Sequence, residues 1–239
     1  MVGTWINAGA ILLGGCVGLT VRRDPSPRAQ WLLKALIAAA ALWTGLHLVW
    51  SGIGGSPGRV LAQLALALLA LVLAGALGRA LGFQRQLNAL GRYARERFAK
   101  VRSSRRPDFS EGLVVTTILC CATPLALVGA LLDGLPGDPR ALVIKAAIDG
   151  LAALALARIL GVGTLVAALP LIAFQGSITL GAASLKPWMH HPGLMPGLLA
   201  VAGLLVTMTV LVVLDVRKVP LADYLPALLL GPVLRLWLP

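Results

Sequence analysis

Charge is scarce in this 239-residue chain: Asp, Glu, Lys and Arg make up only 13% of it. A soluble domain carries about 25%. So thin a polar complement cannot cover a globule in water, and a 58% hydrophobic content is equally foreign to a disordered tail. Cysteine is nearly absent. Cys16, Cys120 and Cys121 all fall in apolar runs without CxxC spacing, which excludes a disulfide scaffold or thiolate zinc site and leaves small packing residues. Glutamate occurs only at Glu96 and Glu111, so the clustered carboxylates of a membrane-embedded enzyme are missing. No GxSxG, HExxH or Walker loop is present. The stretch "GIGGSPG" at 52–58 lacks the phosphate-binding lysine, and no Ser/His or Cys/His arrangement supplies a nucleophile beside a base. Neither enzymatic activity nor a cofactor is expected.

What the chain does have is long apolar runs. A spanning helix needs about 20 mainly apolar residues, and candidates lie at 4–20, 31–51, 60–81, 113–132, 141–160, 163–185, 195–214 and 220–238. These predict an all-α, polytopic transmembrane helical bundle of about eight spans, one integral-membrane domain over 1–239. Seven spans result if the last is re-entrant, since it contains Asp223, Pro226 and Pro232. Pro170 and Gln175-Gly176-Ser177 interrupt the sixth; such breaks survive at membrane depth only where protein or water satisfies the freed backbone groups. The first run precedes its cations Arg22 and Arg23, the reverse of a secretory signal, and is expected to stay in the mature protein.

The 21 Lys+Arg against 9 Asp+Glu give a net charge of +12. In a membrane protein such an excess orients the chain rather than binding nucleic acid. Nine cations (Arg79, Arg85, Arg92, Arg95, Arg97, Lys100, Arg102, Arg105, Arg106) share one segment between apolar runs. With the N-terminus outside, these nine join Arg22, Arg23, Arg28, Lys34, Arg158, Arg217 and Lys218 on the inner side. That makes 16, against 5 outside: Arg59, Arg140, Lys145, Lys186 and Arg235. Trp5, Trp31, Trp50, Trp188 and Trp237 fall near span ends, as an aromatic belt requires. Both termini lie on the same side unless the last span is re-entrant. Within the basic cytoplasmic loop 83–111, Leu87, Leu90, Ala94, Phe98 and Val101 recur at helical spacing. An amphipathic helix over 84–104, lying along anionic membrane lipid as an anchor or partner-docking element, is expected.

From Ile118 to Ala183 the chain, with "CCATPLALVG" and "FQGSITLGA", resembles the uncharacterised bacterial YqgA/YdfK family of multi-pass inner-membrane proteins. The start "GTWINAGAILLGGCVG" looks like that family's Gly-Thr…Asn…Gly-Gly pattern, and "ADYLPALLL" is similar to its closing Asn-x-Leu-Pro-Ala-Leu stretch. Two departures stand out: Cys121 is followed by Ala122-Thr123-Pro124 where the family has Gly-Pro, and Asp223 replaces Asn. The resemblance implies an inner-membrane location and a suspected transport role, without a substrate.

Lys145 and Asp149 are spaced i, i+4 and meet on one helix face. Asp149 is expected about 12 Å deep, where an ionisable group marks a pathway or an internal pair. A structural, charge-neutralised pair holding helices in register is the competing reading. Gln175, Gly176, Ser177 and Thr179 place amide, bare backbone and hydroxyls mid-membrane, either as an unwound binding segment or as ordinary small-residue packing. Asn7, with Thr4, stands on a Gly-rich first span that reads mainly as close packing, and Asp223 is expected at the same cavity or at the inner interface. Asp133-Gly134 and Gly137-Asp138-Pro139 read as turn chemistry. His190-His191 with Met189 and Met195 has soft donors for copper(I) but no Cys or carboxylate beside it, so no metal site is expected.

The expected function is a secondary transporter or channel-like exporter of a small solute or ion. Lys145, Asp149, Gln175, Gly176, Ser177, Thr179, Asn7 and Asp223 form its expected binding set. Val2-Gly3-Thr4 and Val162-Gly163-Thr164 hint at an inverted repeat. The alternative is a non-transporting scaffold or regulatory partner docking through the basic 84–104 helix. GxxxG steps at Gly14/Gly18, Gly78/Gly82 and Gly193/Gly197 fit a homo-oligomer or packing within one chain.

Overall fold

The computed structural model describes residues 1–21, 26–104 and 109–236, and the side chains of residues 102–104, 188 and 190 are outside that description. Arg22, Arg23, Arg105, Arg106 and Trp237, used above for topology, therefore lie outside the described residues, as do the side chains of Arg102, Trp188 and His190. Among the described residues the regular structure is helical throughout: α1 (Val2–Thr20), α2 (Pro27–Gly52), α3 (Pro57–Leu81), α4 (Phe83–Ser104), α5 (Phe109–Cys121), α6 (Pro124–Gly134), α7 (Arg140–Leu160), α8 (Gly163–Val166), α9 (Ala168–Ser184), α10 (Leu194–Val213) and α11 (Ala227–Arg235), with 3₁₀ turns at Lys186–His190 and Leu221–Tyr224. Proline opens α2, α3 and α6, where its missing N–H has no intrahelical acceptor to lose. Gly82, at φ +70°, ends α3 in the left-handed region and lets α4 begin at the next residue.

Five helices are long and apolar enough to cross a membrane: Val2–Thr20, Pro27–Gly52, Pro57–Leu81, Gly163–Ser184 and Leu194–Val213. The α5–α6 pair makes a sixth when taken as one span bent by 65°. Three of the eight expected runs differ in form from a straight apolar span. The fourth run is not straight, because Pro124 offers no amide to continue α5 and the chain turns at Ala122-Thr123. The eighth run breaks into a 3₁₀ turn and the 9-residue α11, too short to span alone at 1.5 Å per residue. The fifth run is a 21-residue helix, α7, but Arg140, Lys145, Asp149 and Arg158 make it too charged for a plain apolar span.

The chain divides into two compact units, Met1–Trp31 with Gln86–Ala183, and Leu32–Arg85 with Ser184–Pro239. In the first, α1 and α7 lie parallel with their backbones in contact: Gly3 faces Leu142, Gly14 faces the carbonyl of Gly150, and Gly18 faces that of Leu154. Helices in lipid gain little from apolar burial against one another, so close backbone approach through small residues supplies much of the association. The α5–α6 pair and α8–α9 run the other way. Gly112 of α5 meets Leu160 at the end of α7, while Gly134 meets Thr179 and Ala182 late in α9.

The amphipathic helix forms as α4, but half of its apolar stripe is claimed by protein rather than lipid. Ala94, Phe98 and Val101 pack with Val115 and Ile118 of α5 and Leu156 and Leu160 of α7. Leu90 and Tyr93 stay exposed. Arg97 stacks 5.0 Å over the Tyr93 ring and pairs with Glu111; that hydrogen bond and charge raise its pKa.

In the second unit α2 and α10 are antiparallel, with Gly45 against Gly203 and Gly52 against Pro196 and Ala200. The segment 221–235 begins beside the end of α3, where Gly78 faces the Asp223 carbonyl. It finishes beside the start of α10, where Gly193 faces Arg235 and Gly197 faces Gly231.

Candidate functional site

The first unit buries a polar cluster on α1, α7 and α9. Positions 3, 4, 7, 8, 11, 15 and 18 form the buried stripe of α1, so helical periodicity alone turns Thr4 and Asn7 inward. On α7, Lys145 and Asp149 occupy the matching stripe, and on α9 Gln175 and Thr179 share a face one turn apart. Exposure is 0% for Asn7 and Gln175, 2% for Lys145 and 4% for Asp149. Asp149 is the tenth of 21 residues in α7, midway along a helix of about 31 Å.

One carboxylate oxygen organises the cluster. Asp149 Oδ2 accepts from Lys145 Nζ at 2.5 Å and from Asn7 Nδ2 at 3.0 Å. Asn7 Nδ2 is shared with Gln175 Oε1 at 3.3 Å, which ties all three helices together. Lys145 and Asp149 neutralise each other, so no net charge is buried. The polar inventory is nevertheless incomplete: Asn7 Oδ1, Gln175 Nε2 and the hydroxyls of Thr4 and Thr179 have no hydrogen-bond partner among the described residues. A buried polar atom without a partner costs about 1–3 kcal/mol, so the cluster as it stands carries a polar deficit beside its one ion pair.

A family profile described as "Protein of unknown function (DUF554)" matches residues 2–236. The chain belongs to this family. It is 29% identical over 239 residues to "Uncharacterized protein YqgA" of Escherichia coli (strain K12), covering 99% of this chain and 97% of that one. It is 26% identical over 233 residues to "Uncharacterized membrane protein YdfK" of Bacillus subtilis (strain 168), covering 98% and 95%. No solved structure matches it. Together with the apolar helices, these matches mark this DUF554 chain as a multi-pass helical membrane protein.

Of the eight residues read from the sequence, Lys145, Asp149, Asn7 and Gln175 are brought into direct contact, and Thr179 shares the face of Gln175. Gly176 is buried beside Met1, whose methyl carbon would lie 3.1 Å from a Cβ placed there. Ser177 is not in the cluster: two residues from Gln175 it turns to the exposed side, where its hydroxyl donates to the Phe174 carbonyl at 2.8 Å. The segment around it is not unwound, for α9 runs continuously from Ala168 to Ser184. Pro170 falls in the first turn of that helix, where no amide is missed. Asp223 belongs to the second unit, where its Oδ1 accepts the Gln84 backbone amide at 2.8 Å while Gln84 Oε1 accepts from Ala222 at 3.1 Å. Replacing Ser177 by alanine is expected to change thermal stability by less than about 0.5 kcal/mol, read as an unchanged melting temperature.

One residue escaped the sequence reading. Asp133, taken for a turn residue, is the last acid of α6; its buried Oδ2 accepts the Gly3 amide at 3.2 Å and pairs with the Met1 ammonium at 3.2 Å. A carboxylate at a helix N-terminus is favoured by the orphan amides and the macrodipole. Its partner lies 130 positions away in sequence, so no local pattern reveals it. Thr4, read with Asn7 as close packing, lies one turn before it on the same buried stripe.

Proposed function

We propose that this protein is a secondary transporter or channel-like exporter moving a small solute or ion across the bacterial inner membrane. One observation carries the reading: an ion pair buried midway along α7, bridged by amides from α1 and α9, beside polar atoms that lack partners. Ionisable groups at membrane depth are costly and tend to mark a pathway. The proposal takes no chemical step.

The proposed topology has eight crossings, four from each unit, with the N-terminus outside. Parallel α1 and α7, with α5–α6 and α8–α9 opposed to them, support alternation of the first, fourth, fifth and sixth crossings. The segment 221–235 joins the end of α3 to the start of α10, which supports an eighth crossing in place of a re-entrant turn. The 16-to-5 cation count supports the orientation.

Flux in proteoliposomes tests the reading, by current and by isotope exchange for a panel of ions and small metabolites, with Asp149→Asn alongside. A solute that moves with wild type and at least tenfold more slowly with the variant is expected. Flat traces in both assays from folded protein would overturn it. The alternative is then a scaffold docking through α4, for which neutralising Arg92 and Arg95 abolishes partner binding and Asp149→Asn is silent.

A further inference from the structure

Packing splits the surface of α4 into two unlike flanks. Ala94, Phe98 and Val101 define the face that meets α5 and α7. At about 100° per residue, the side chains beside that face fall to its left or its right. One flank carries Leu90, Tyr93, Arg97 and Lys100, spaced three, four and three residues so that they form a single row. The other carries Asn88, Arg92 and Arg95, all exposed. Only the first mixes charge with large apolar side chains: Leu90 is 46% and Tyr93 42% exposed, and the Arg97 guanidinium stacks over the Tyr93 ring.

The chain itself restricts what borders this row. α4 starts at Phe83, two residues after the membrane-spanning α3 ends at Leu81. Its packing partners Leu156 and Leu160 stand in the last two turns of α7, so α4 runs beside helix ends, where the chain leaves the apolar layer. At that depth an exposed leucine and tyrosine suit the boundary between acyl chains and headgroups, and the long stems of Arg and Lys carry their charge out to the phosphates.

Charge selects the kind of lipid. The row holds two cations and no acid: Glu96 lies on the side of α4 away from the packed face, and Glu111 reaches Arg97 from α5. A zwitterionic surface has no net charge to attract such a row, whereas an anionic one favours each basic side chain about fivefold.

We infer that the flank of α4 bearing Leu90, Tyr93, Arg97 and Lys100 is a binding surface for anionic phospholipid of the surrounding bilayer. Leu90 and Tyr93 enter the interface, and Arg97 and Lys100 meet the phosphates. Arg92 and Arg95 face away from the lipid. The inference stands apart from the transport reading, since it concerns neither the buried cluster nor any solute.

Amide hydrogen exchange across residues 86–100 tests this, on the full chain in nanodiscs of phosphatidylcholine alone or with phosphatidylglycerol at about a third of the lipid. A ligand that prefers the folded helix slows its local opening. Exchange should be at least about fivefold slower with phosphatidylglycerol, the worth of one basic side chain at an anionic surface, and the difference should shrink as salt rises. Leu90→Gln and Lys100→Gln should each remove most of it while exchanging like wild type in phosphatidylcholine; both side chains are exposed, so neither change disturbs the packed face. Arg92→Gln with Arg95→Gln should keep most of it, because those charges sit about a Debye length away across the helix. Equal exchange in the two bilayers would overturn the inference and leave this flank to a protein partner. A difference that survives Leu90→Gln and Lys100→Gln but disappears with Arg92→Gln and Arg95→Gln would overturn it by placing the lipid on the opposite flank.

Discussion

Gly14→Leu is expected to yield no folded, monodisperse protein, and Gly14→Ala to lower the melting temperature by at least about 6 °C. A Cβ at Gly14 runs into the Gly150 carbonyl oxygen, and one at Gly18 into that of Leu154. These obstacles are backbone. A flexible side chain could swing away, but α7 can yield only by moving as a rod, which also parts Asn7 from Asp149. Overpacking costs typically 1–3 kcal/mol; at the upper end, a protein of this length loses about 2–4 °C per kcal/mol. Gly9 is the control, because nothing lies within 4 Å of a Cβ placed there, and Gly9→Ala should melt with wild type. Equal melting of Gly14→Ala and Gly9→Ala would remove the backbone contact on which the site's geometry depends.

That contact shows why some of this molecule is legible in sequence and some is not. Apolar run length is local information, so α1, α2, α3 and α10 stand within about four residues of where the composition puts them. Lys145 and Asp149 were equally accessible, since an i, i+4 spacing fixes their meeting without tertiary knowledge. Pro124 and Pro170 show the limit. Both interrupt apolar runs, yet one opens a helix after a 65° bend and the other sits harmlessly in a first turn. Which outcome holds is decided by where the helix starts, and tertiary packing sets that. Ser177 was drawn into the site by proximity in sequence, although a two-residue offset from Gln175 points it to the opposite side. Asp133 was lost because an Asp-Gly pair reads as a turn, whereas its acceptor role depends on α1 being delivered to it.

Breaking the ion pair from one side and from both should give opposite results for stability and the same result for flux. Lys145→Met leaves Asp149 buried without its cation, and Asp149→Leu leaves Lys145 with nothing to neutralise it. Either single change should destabilise by about 3–5 kcal/mol, while replacing both with apolar groups of similar volume is expected to be neutral or stabilising. Melting curves in choline chloride should therefore place the double variant at or above wild type, with both singles far below. Flux separates the two meanings of the pair. If Lys145 and Asp149 serve only to hold α7 against α1 and α9, the double variant, repacked and stable, transports like wild type. If the pair is the charge that couples movement, the double variant is the most instructive of the three: folded, fully stable and inactive. A double variant that recovers both stability and flux would assign the pair to architecture and move the search for the coupling group elsewhere. Recovery of stability alone leaves coupling as its role, because nothing else in the fold would have been lost.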